Sequence, residues 1–481
     1  MPRTALIAGA SGLVGAACVD RFLDDGWNVI AVSRREPEVF SDKPFRHIAL
    51  DLRDADATRA GVKDLSDVTH VVYAAVFEKP GLIAGWTEQD QMETNDAMLR
   101  NLIDPLADVA NLQHVTTLQG TKAYGIHLHP MRVPARERFP RDDHANFYWL
   151  QEDYITDKAA KTGFRYTIMR PQLIVGPNIG VVMNLPPVIG VYAAICKEEG
   201  RPFAFPGGPS YVWEAVDTRL VADAIRWAAE APAADGQHFN LTNGEVFQWR
   251  DLWPALADAL GVEVGEDDPI SLGEFLPGKA EVWDTIVAKH GLRQLSIGEI
   301  LGESHYYADF CMAYGAEEPP PPAFVSTVQI KQAGFTEARD TSETFTHSIK
   351  VLQDRKILPP ANYPPAPQRA GPVPPVPARS PLPANGRPTM PIDLAHDPHV
   401  VELAERTARF VRDTVLPYEQ DNQGVGECPI NGVTGVDGSQ VVLVGTIRPS
   451  KVIANAFSAG FQRIAHRLRP FPVGSSERVT R

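Results

Sequence analysis

Short apolar runs alternate with amphipathic stretches in the first part of the chain. The first run, residues 5–9, ends in glycine, and an amphipathic stretch follows over residues 13–23. Helical patterns also cover residues 92–110 and a segment that starts near Tyr148. Further apolar runs of strand length are at residues 27–34, 45–52, 70–76, 114–120 and 166–171. Repeated strand–helix units with apolar strands predict a parallel sheet covered on both faces.

The pattern becomes mainly helical beyond about residue 185. Apolar positions recur at helical spacing over residues 218–231 and 249–260. We therefore expect an α/β fold with a Rossmann-type doubly wound parallel sheet over about residues 1–184. A smaller, mostly helical lobe over about residues 185–358 should pack on the carboxyl edge of that sheet.

Proline separates this unit, residues 1–358, from the rest of the chain. Residues 359–391 are rich in proline and poor in large apolar side chains, which is typical of an extended, solvated linker. In the tail, residues 392–481, Asp397 and Pro398 are suited to begin a helix. That helix resembles the opening helix of acyl-CoA dehydrogenases. A truncated or frame-shifted fusion is one interpretation of the tail, and a largely disordered segment is the other.

Composition excludes several classes of protein. The net charge of −14 argues against a nucleic-acid groove or a polybasic membrane patch. The four cysteines form no CxxC pair, and no acid or cysteine cluster joins His127 and His129, so we expect loop histidines and no metal site. The most apolar run, residues 185–196, is too short and proline-broken to span a bilayer. We expect a cytoplasmic protein, as a monomer or homodimer.

A glycine-rich turn, residues 9–15, joins the first predicted strand to the first predicted helix. Gly9 permits the tight turn, Gly12 allows a pyrophosphate to approach the backbone, and Gly15 lets the helix pack on the sheet. This strand–turn–helix setting predicts a dinucleotide site. The residues of the turn that we expect at the cofactor are Gly9, Ser11, Gly12, Leu13 and Gly15.

The second predicted strand ends in Ser33, Arg34 and Arg35. NAD-specific sheets place an acid there for the ribose 2′-hydroxyl, whereas two arginines suit the extra 2′-phosphate of NADP. A solvated basic pair is the alternative interpretation. Asp51, after the third predicted strand, is placed to meet the adenine edge. The predicted cofactor is therefore NADPH, and its remaining expected contacts are Leu52, Ala75, Tyr148 and Ile174.

The candidate catalytic pair is Tyr148 and Lys122. In short-chain dehydrogenases a helical catalytic tyrosine is normally followed one turn later by a lysine, but here that position is Glu152. Lys122 follows the fifth predicted strand, at the sheet edge where ligands of open α/β sheets bind. Because a nearby ammonium strengthens a phenol as a hydrogen-bond donor, we expect Lys122 to replace the absent lysine. Glu152 would then merely occupy the vacant position.

These two residues lie in the motifs GTK, residues 120–122, and NFYWLQED, residues 146–153. Both motifs resemble those of the progesterone 5β-reductase and iridoid synthase-like family, an atypical branch of the short-chain dehydrogenase/reductases. The resemblance extends over about residues 3–359. Residues that depart from the common family form are Ser11, Gln119, Ala123 and Trp149.

The resemblance implies a reductase that uses NADPH on the carbon–carbon double bond of enones and enals. Tyr148 and Lys122 would stabilise the enolate oxygen of a small hydrophobic substrate. Carbonyl reduction by the same residues is the nearest alternative, and a catalytically silent NADPH-binding regulator is another. Sugar-nucleotide epimerisation is disfavoured, because it relies on the lysine one turn after the tyrosine.

Overall fold

The computed structural model describes residues 3–79 and 84–362, so most of the predicted linker and the whole tail lie outside the described residues. The strands in the described part are β1 (Thr4–Ala8), β2 (Asn28–Ser33), β3 (Arg46–Ala49), β4 (His70–Tyr73), β5 (His114–Leu118), β6 (Arg165–Pro171), β7 (Leu173–Val175), β8 (Val212–Trp213), β9 (Ala215–Asp217), β10 (Gln237–Leu241) and β11 (Phe247–Gln248). The α-helices there are α1 (Leu13–Asp24), α2 (Ala55–Val62), α3 (Gln89–Val109), α4 (Phe147–Thr162), α5 (Pro186–Glu198), α6 (Thr218–Glu230), α7 (Trp249–Leu260), α8 (Leu272–Phe275), α9 (Ala280–His290), α10 (Ile297–Leu301), α11 (Ser304–Cys311), α12 (Val328–Gln332) and α13 (Thr341–Asp354).

Seven of these strands form a parallel sheet in the order β10, β6, β5, β4, β1, β2, β3. The chain moves outward from β1 to β3 and then returns to the other side of β1 with β4. Ligands of such sheets bind where the strand order reverses, beyond the carboxyl ends of the strands. The doubly wound sheet that the sequence predicts is thus confirmed.

Helices cover both faces of the sheet because successive side chains of a strand point to opposite sides. From β1, Ala5 and Ile7 pack in the same core as α1 and α6. Leu6 and Ala8 pack in the opposite core, to which α3 and α4 contribute. Both faces of the central strands are therefore apolar and buried.

A third core belongs to the helical lobe. Its centre is α5, the apolar run that the sequence singled out, whose residues Val188 to Cys196 are almost fully buried. Trp253, Trp283 and Phe345 from three other helices are buried in the same core. None of the helices in the described ranges has the length and apolarity needed to cross a membrane.

The seventh strand, β10, is the one strand of the sheet that the apolar pattern does not indicate. Three of the five residues of its sequence QHFNL are polar, and it pairs with β6 alone at the sheet edge. The sheet thus takes a strand from beyond residue 184. The core and the lobe are therefore not two separate stretches of sequence.

Candidate active site

A cavity of about 430 Å³ opens at the carboxyl edge of the sheet, beside the switch between β1 and β4. Of the residues expected at cofactor or substrate, Gly15 alone does not line it. The expected residues that do line it are Gly9, Ser11, Gly12, Leu13, Ser33, Arg34, Arg35, Asp51, Leu52, Ala75, Lys122, Tyr148 and Ile174. The structure thus gathers residues from distant parts of the sequence around one space.

The glycine turn has the shape that a dinucleotide requires. Gly9 adopts a φ of +76°, and a Cβ there would lie 2.6 Å from the carbonyl oxygen of Ala74. A Cβ at Gly15 would lie 2.1 Å from the carbonyl oxygen of Gly9, so Gly15 packs α1 on the turn and does not face the cavity. Gly12 directly precedes α1, whose first residues line the cavity. A helix N-terminus behind a glycine turn fits a pyrophosphate.

Three arginines line the part of the cavity formed by the segments that follow β2 and β3. Arg34 and Arg35 are exposed, and the Ser33 hydroxyl donates to the carbonyl oxygen of Arg35 at 2.6 Å. The third, Arg53, was not predicted from the sequence; it donates to Asp51 through Nε and Nη2 at 3.0 and 2.5 Å. These hydrogen bonds hold the pKa of Asp51 at about 2. Asp51 is therefore paired with Arg53 at the place where it was expected to meet the adenine.

Tyr148 lies in the first turn of α4 at the other end of the cavity. Asn146 caps this helix, because its side chain accepts from the backbone N–H of Tyr148 at 3.0 Å. The Tyr148 hydroxyl lies beside Gly120, 3.4 Å from where a Cβ would be. Burial, and then the charge of Glu78, raises the pKa of Tyr148. Its phenol therefore keeps its proton and can act as a hydrogen-bond donor.

Lys122 follows β5 on a short 3₁₀ turn, Thr121–Tyr124. Its ammonium lies 3.8 Å from Oε1 of Glu78 and 3.5 Å from the centre of the Trp86 ring. Burial lowers the pKa of Lys122 to about 8, although Glu78 opposes this change. Lys122 and Tyr148 thus line one cavity, and a carboxylate that the sequence analysis missed acts on both.

Glu152 was expected merely to occupy the vacant lysine position, but it forms several contacts of its own. It accepts from Gln119 Nε2 at 2.8 Å and from Arg141 Nη2 at 2.8 Å, and it lies 3.6 Å from Arg170. Although burial opposes ionisation, contacts with His238 and these neighbours hold its pKa at about 2. Arg170 donates in turn to Gln119 Oε1 at 2.8 Å. Glu152 therefore ties α4 to the residues that precede Lys122.

Aromatic side chains also line the cavity. We call the end that contains Tyr148 and Lys122 the reaction end and the end that contains the glycine turn the cofactor end. His127 lies in the loop that the sequence indicates, but its ring lines the cavity, 6.1 Å from the ring of Trp86. Within the described ranges no group of three or more His, Cys, Asp or Glu side chains could hold a metal ion. Lining residues that the sequence analysis did not identify as site residues include Glu78, Trp86, Gln119, Phe147, Trp213, Tyr307 and Phe310.

One signal could have indicated part of this set. Glu78 lies five residues after the end of β4, in the segment that leaves the carboxyl edge of the sheet, where ligands bind. Trp213, Tyr307 and Phe310 come from the lobe, and no motif marks them. Their contribution depends on how the lobe packs on the sheet, which periodicity does not specify.

Comparisons with known proteins agree with this geometry. The model of the NAD dependent epimerase/dehydratase family matches residues 5–242. A UDP-glucose 4-epimerase of Thermotoga maritima has a similar structure, with a TM-score of 0.52 and 15% identity. The match covers 73% of this chain and 99% of that chain, and it supports the fold alone.

Two plant proteins are more similar in sequence. The (S)-8-oxocitronellyl enol synthase of Antirrhinum majus is 32% identical over an alignment of 376 positions, which covers 74% of this chain and 92% of that protein. The 3-oxo-Delta(4,5)-steroid 5-beta-reductase of Arabidopsis thaliana is 34% identical over an alignment of 378 positions, which covers 74% of this chain and 93% of that protein. The chain therefore belongs to the progesterone 5β-reductase and iridoid synthase-like family, as its two motifs predict.

Proposed function

We propose that this protein uses NADPH to reduce the carbon–carbon double bond of enones or enals. The observation that carries the proposal is that a protonated phenol, Tyr148, and a buried ammonium, Lys122, line the same aromatic cavity. The glycine turn forms the other end of that cavity. One relative is named for a 3-oxo-Δ4,5-steroid, which is an enone.

The residues around the glycine turn would hold the cofactor. The turn and the first residues of α1 suit the pyrophosphate, and Arg34, Arg35 and Arg53 suit a 2′-phosphate. All three arginines are exposed at the cavity edge, so a phosphate can reach them. When bound, the reduced nicotinamide supplies the hydride for the β-carbon of the enone.

Tyr148 and Lys122 act on the oxygen of the substrate. As hydride adds to the β-carbon, negative charge develops on the carbonyl oxygen, and the Tyr148 hydroxyl donates a hydrogen bond to it. The Lys122 ammonium adds positive charge to the same surroundings. Such donors have a large effect in a water-poor site, because they are oriented before charge develops. Solvent then protonates the α-carbon, which gives the saturated carbonyl compound.

Aromatic residues define the substrate class. Trp86 and Phe147 lie beside Lys122 and Tyr148, and the same cavity is lined by Trp213, Tyr307 and Phe310. These surfaces favour a flat apolar skeleton, and the Tyr148 hydroxyl and the Lys122 ammonium favour a carbonyl oxygen beside them. The substrates we propose are therefore hydrophobic enones or enals.

The test is product analysis with NADPH and a panel of enones and enals, each paired with its saturated carbonyl analogue. We expect saturated ketones or aldehydes as products, and no consumption of the saturated analogues. Allylic alcohols would instead indicate carbonyl reduction. NADPH binding without turnover of any panel member would favour a regulator. Tyr148→Phe should reduce this turnover strongly. Tyr154→Phe is its matched control, because Tyr154 lies on the same helix and its hydroxyl donates to Asp104 at 2.8 Å, outside the cavity lining.

A further inference from the structure

Glu78 is a buried acid beside Lys122 in the cavity. It follows β4, its side chain is 4% exposed, and it lines the cavity. Its two oxygens have different partners. Oε1 lies 3.8 Å from the ammonium of Lys122, and Oε2 accepts from Nε2 of Gln91 at 2.9 Å.

The segment that carries Glu78 is held in place by α3. Gln91 accepts from the backbone N–H of Lys79 at 2.9 Å through its other amide atom, Oε1. Asn95 both accepts from the N–H of Phe77 and donates to its carbonyl oxygen, each at 2.8 Å. Gln91 and Asn95 are almost fully buried. These contacts fix the backbone on both sides of Glu78 and orient the Gln91 amide as a donor to the carboxylate.

A buried ammonium needs such a partner. Removing an ammonium from water is costly, and a nearby opposite charge with good geometry offsets this cost. Without a counter-charge, a buried lysine neutralises instead. Lys122 also lies over the face of Trp86, which attracts a cation more weakly than a carboxylate does.

We propose that Glu78 is a positioning residue, which keeps Lys122 protonated and directs its ammonium into the cavity. This inference rests on the proposed function, because it gives the charge of Lys122 a purpose in the reaction. Glu78 acts through Lys122 and need not touch the substrate. Burial is the larger cause of the raised pKa of Tyr148, and the same carboxylate raises it further. One acid thus favours the active protonation state of both residues.

The other groups that face Lys122 do not replace Glu78. His127, from the loop after β5, has a pKa lowered to about 4 by burial and then by His144 and Lys122, so it is neutral near pH 7. Trp86 is uncharged, and Tyr148 on α4 keeps its proton. Among the described residues, Glu78 is the one acid that forms an ion pair with Lys122.

The first measurement follows the ionisation of Lys122 directly, by NMR of protein with isotope-labelled lysine side chains. The Lys122 signal is assigned by its loss in Lys122→Met. In Glu78→Gln we expect Lys122 to lose its proton about 1–3 pH units lower than in the wild type, the usual effect of an opposite charge at this distance. Glu78→Asp keeps the charge and should titrate closer to the wild type. Glu88→Gln is the matched control, because Glu88 is exposed and pairs with Lys79.

The second measurement is the pH dependence of enone turnover with saturating NADPH. The wild type should lose activity as pH rises through the Lys122 pKa, and Glu78→Gln should lose it at lower pH by the same shift. Equal Lys122 titration in wild type and Glu78→Gln would overturn the proposal, even if the variant is less stable. A titration shift with no matching change in the activity profile would also overturn it. Absence of enone turnover in the wild type would contradict the proposed function instead, while the NMR titration still tests the pairing.

Discussion

The cofactor end of the cavity and its reaction end are built in different ways. The cofactor end uses short contiguous stretches that follow β1, β2 and β3, and its cations are exposed arginines. The reaction end combines side chains from β4, β5, α4 and the helical lobe, and its charged groups are buried. The charges of exposed arginines are screened by water and salt, so the loss of one cation is tolerated. A buried charge is little screened, so it is stable only when its charged partner is present. Substitutions at the two ends should therefore differ in the size of their effects and in the property that they change.

The largest effect is expected at the reaction end, from Tyr148→Phe. It removes the donor to the developing enolate, and losing one such donor costs roughly 10²–10³ in turnover. Lys122→Met should also reduce turnover strongly, while NADPH affinity falls only modestly. The double variant should be little worse than the more damaged single variant, because groups that act as a unit are not additive. Single-turnover rates on one good enone measure this, and fully additive losses would contradict the pairing.

At the cofactor end, Arg34→Ala combined with Arg35→Ala should weaken NADPH binding by about 10- to 1000-fold. This range takes roughly 1.5–3 kcal/mol for each charged hydrogen bond and allows for non-additivity. NADH binding should change little, because NADH lacks the 2′-phosphate. Fluorescence titration with both cofactors provides the measurement. Arg46→Ala with Arg59→Ala is the control, since both residues are exposed and outside the cavity lining. Equal losses for NADPH and NADH would show that Arg34 and Arg35 do not recognise the phosphate.

Glu152→Gln tests whether the contacts of Glu152 with Gln119, Arg141 and Arg170 stabilise the fold. Removing the charge takes from buried Arg170 the carboxylate that lies 3.6 Å away, so we expect the free energy of unfolding to fall by about 1–3 kcal/mol. Asp153→Asn is the control, since exposed Asp153 also pairs with Arg141. Chemical denaturation of the three proteins measures the difference, and equal stabilities would restore the view that Glu152 is inert.

The pH dependence of this difference has a defined sign. The folded-state pKa of Glu152, about 2, is below its ordinary value of 4.5. Its stabilising effect is therefore complete above about pH 4.5 and is lost as pH falls through about 2. The gap between wild type and Glu152→Gln should narrow over that range. A gap that is constant down to pH 2 would mean that the charge of Glu152 does not contribute.

The smallest effect is expected from truncation after Asn362. Leu358 is fully buried, and the carbonyl oxygen of Ala361 accepts from Lys197 at 3.3 Å, so the cut leaves these contacts intact. The proline-rich composition that follows predicts a linker that isolates the tail. Melting temperature and turnover should stay nearly unchanged. A fall in either would show that the tail contributes to the reductase unit.

The cofactor end could be predicted because its chemistry is encoded in consecutive residues. Gly9, Gly12 and Gly15 lie at the spacing that the turn requires, and Arg34 and Arg35 follow directly from a strand. Tyr148 and Lys122 could be proposed from the sequence as well, since each belongs to a short motif. The alternation of strands and helices gave the doubly wound sheet for the same reason: it depends on local pattern.

The rest depends on contacts between distant residues. Glu78 meets Lys122 only after β4 and β5 pair, and no pattern in the sequence links the two. Glu152 was misinterpreted because its neighbours Gln119 and His238 come from other strands. β10 was missed since its polar Asn240 serves a buried hydrogen bond from Tyr124 at 2.7 Å, which interrupts the apolar pattern.

The central claim is that hydride adds to the β-carbon of an enone while Tyr148 and Lys122 stabilise the oxygen. The most direct measurement is a reaction with NADPH deuterated at the transferring position, followed by location of the deuterium in the product. We expect a saturated carbonyl compound with deuterium at the β-carbon, and a rate that falls roughly 10²–10³-fold in Tyr148→Phe. Deuterium on the carbonyl carbon of an allylic alcohol would contradict it.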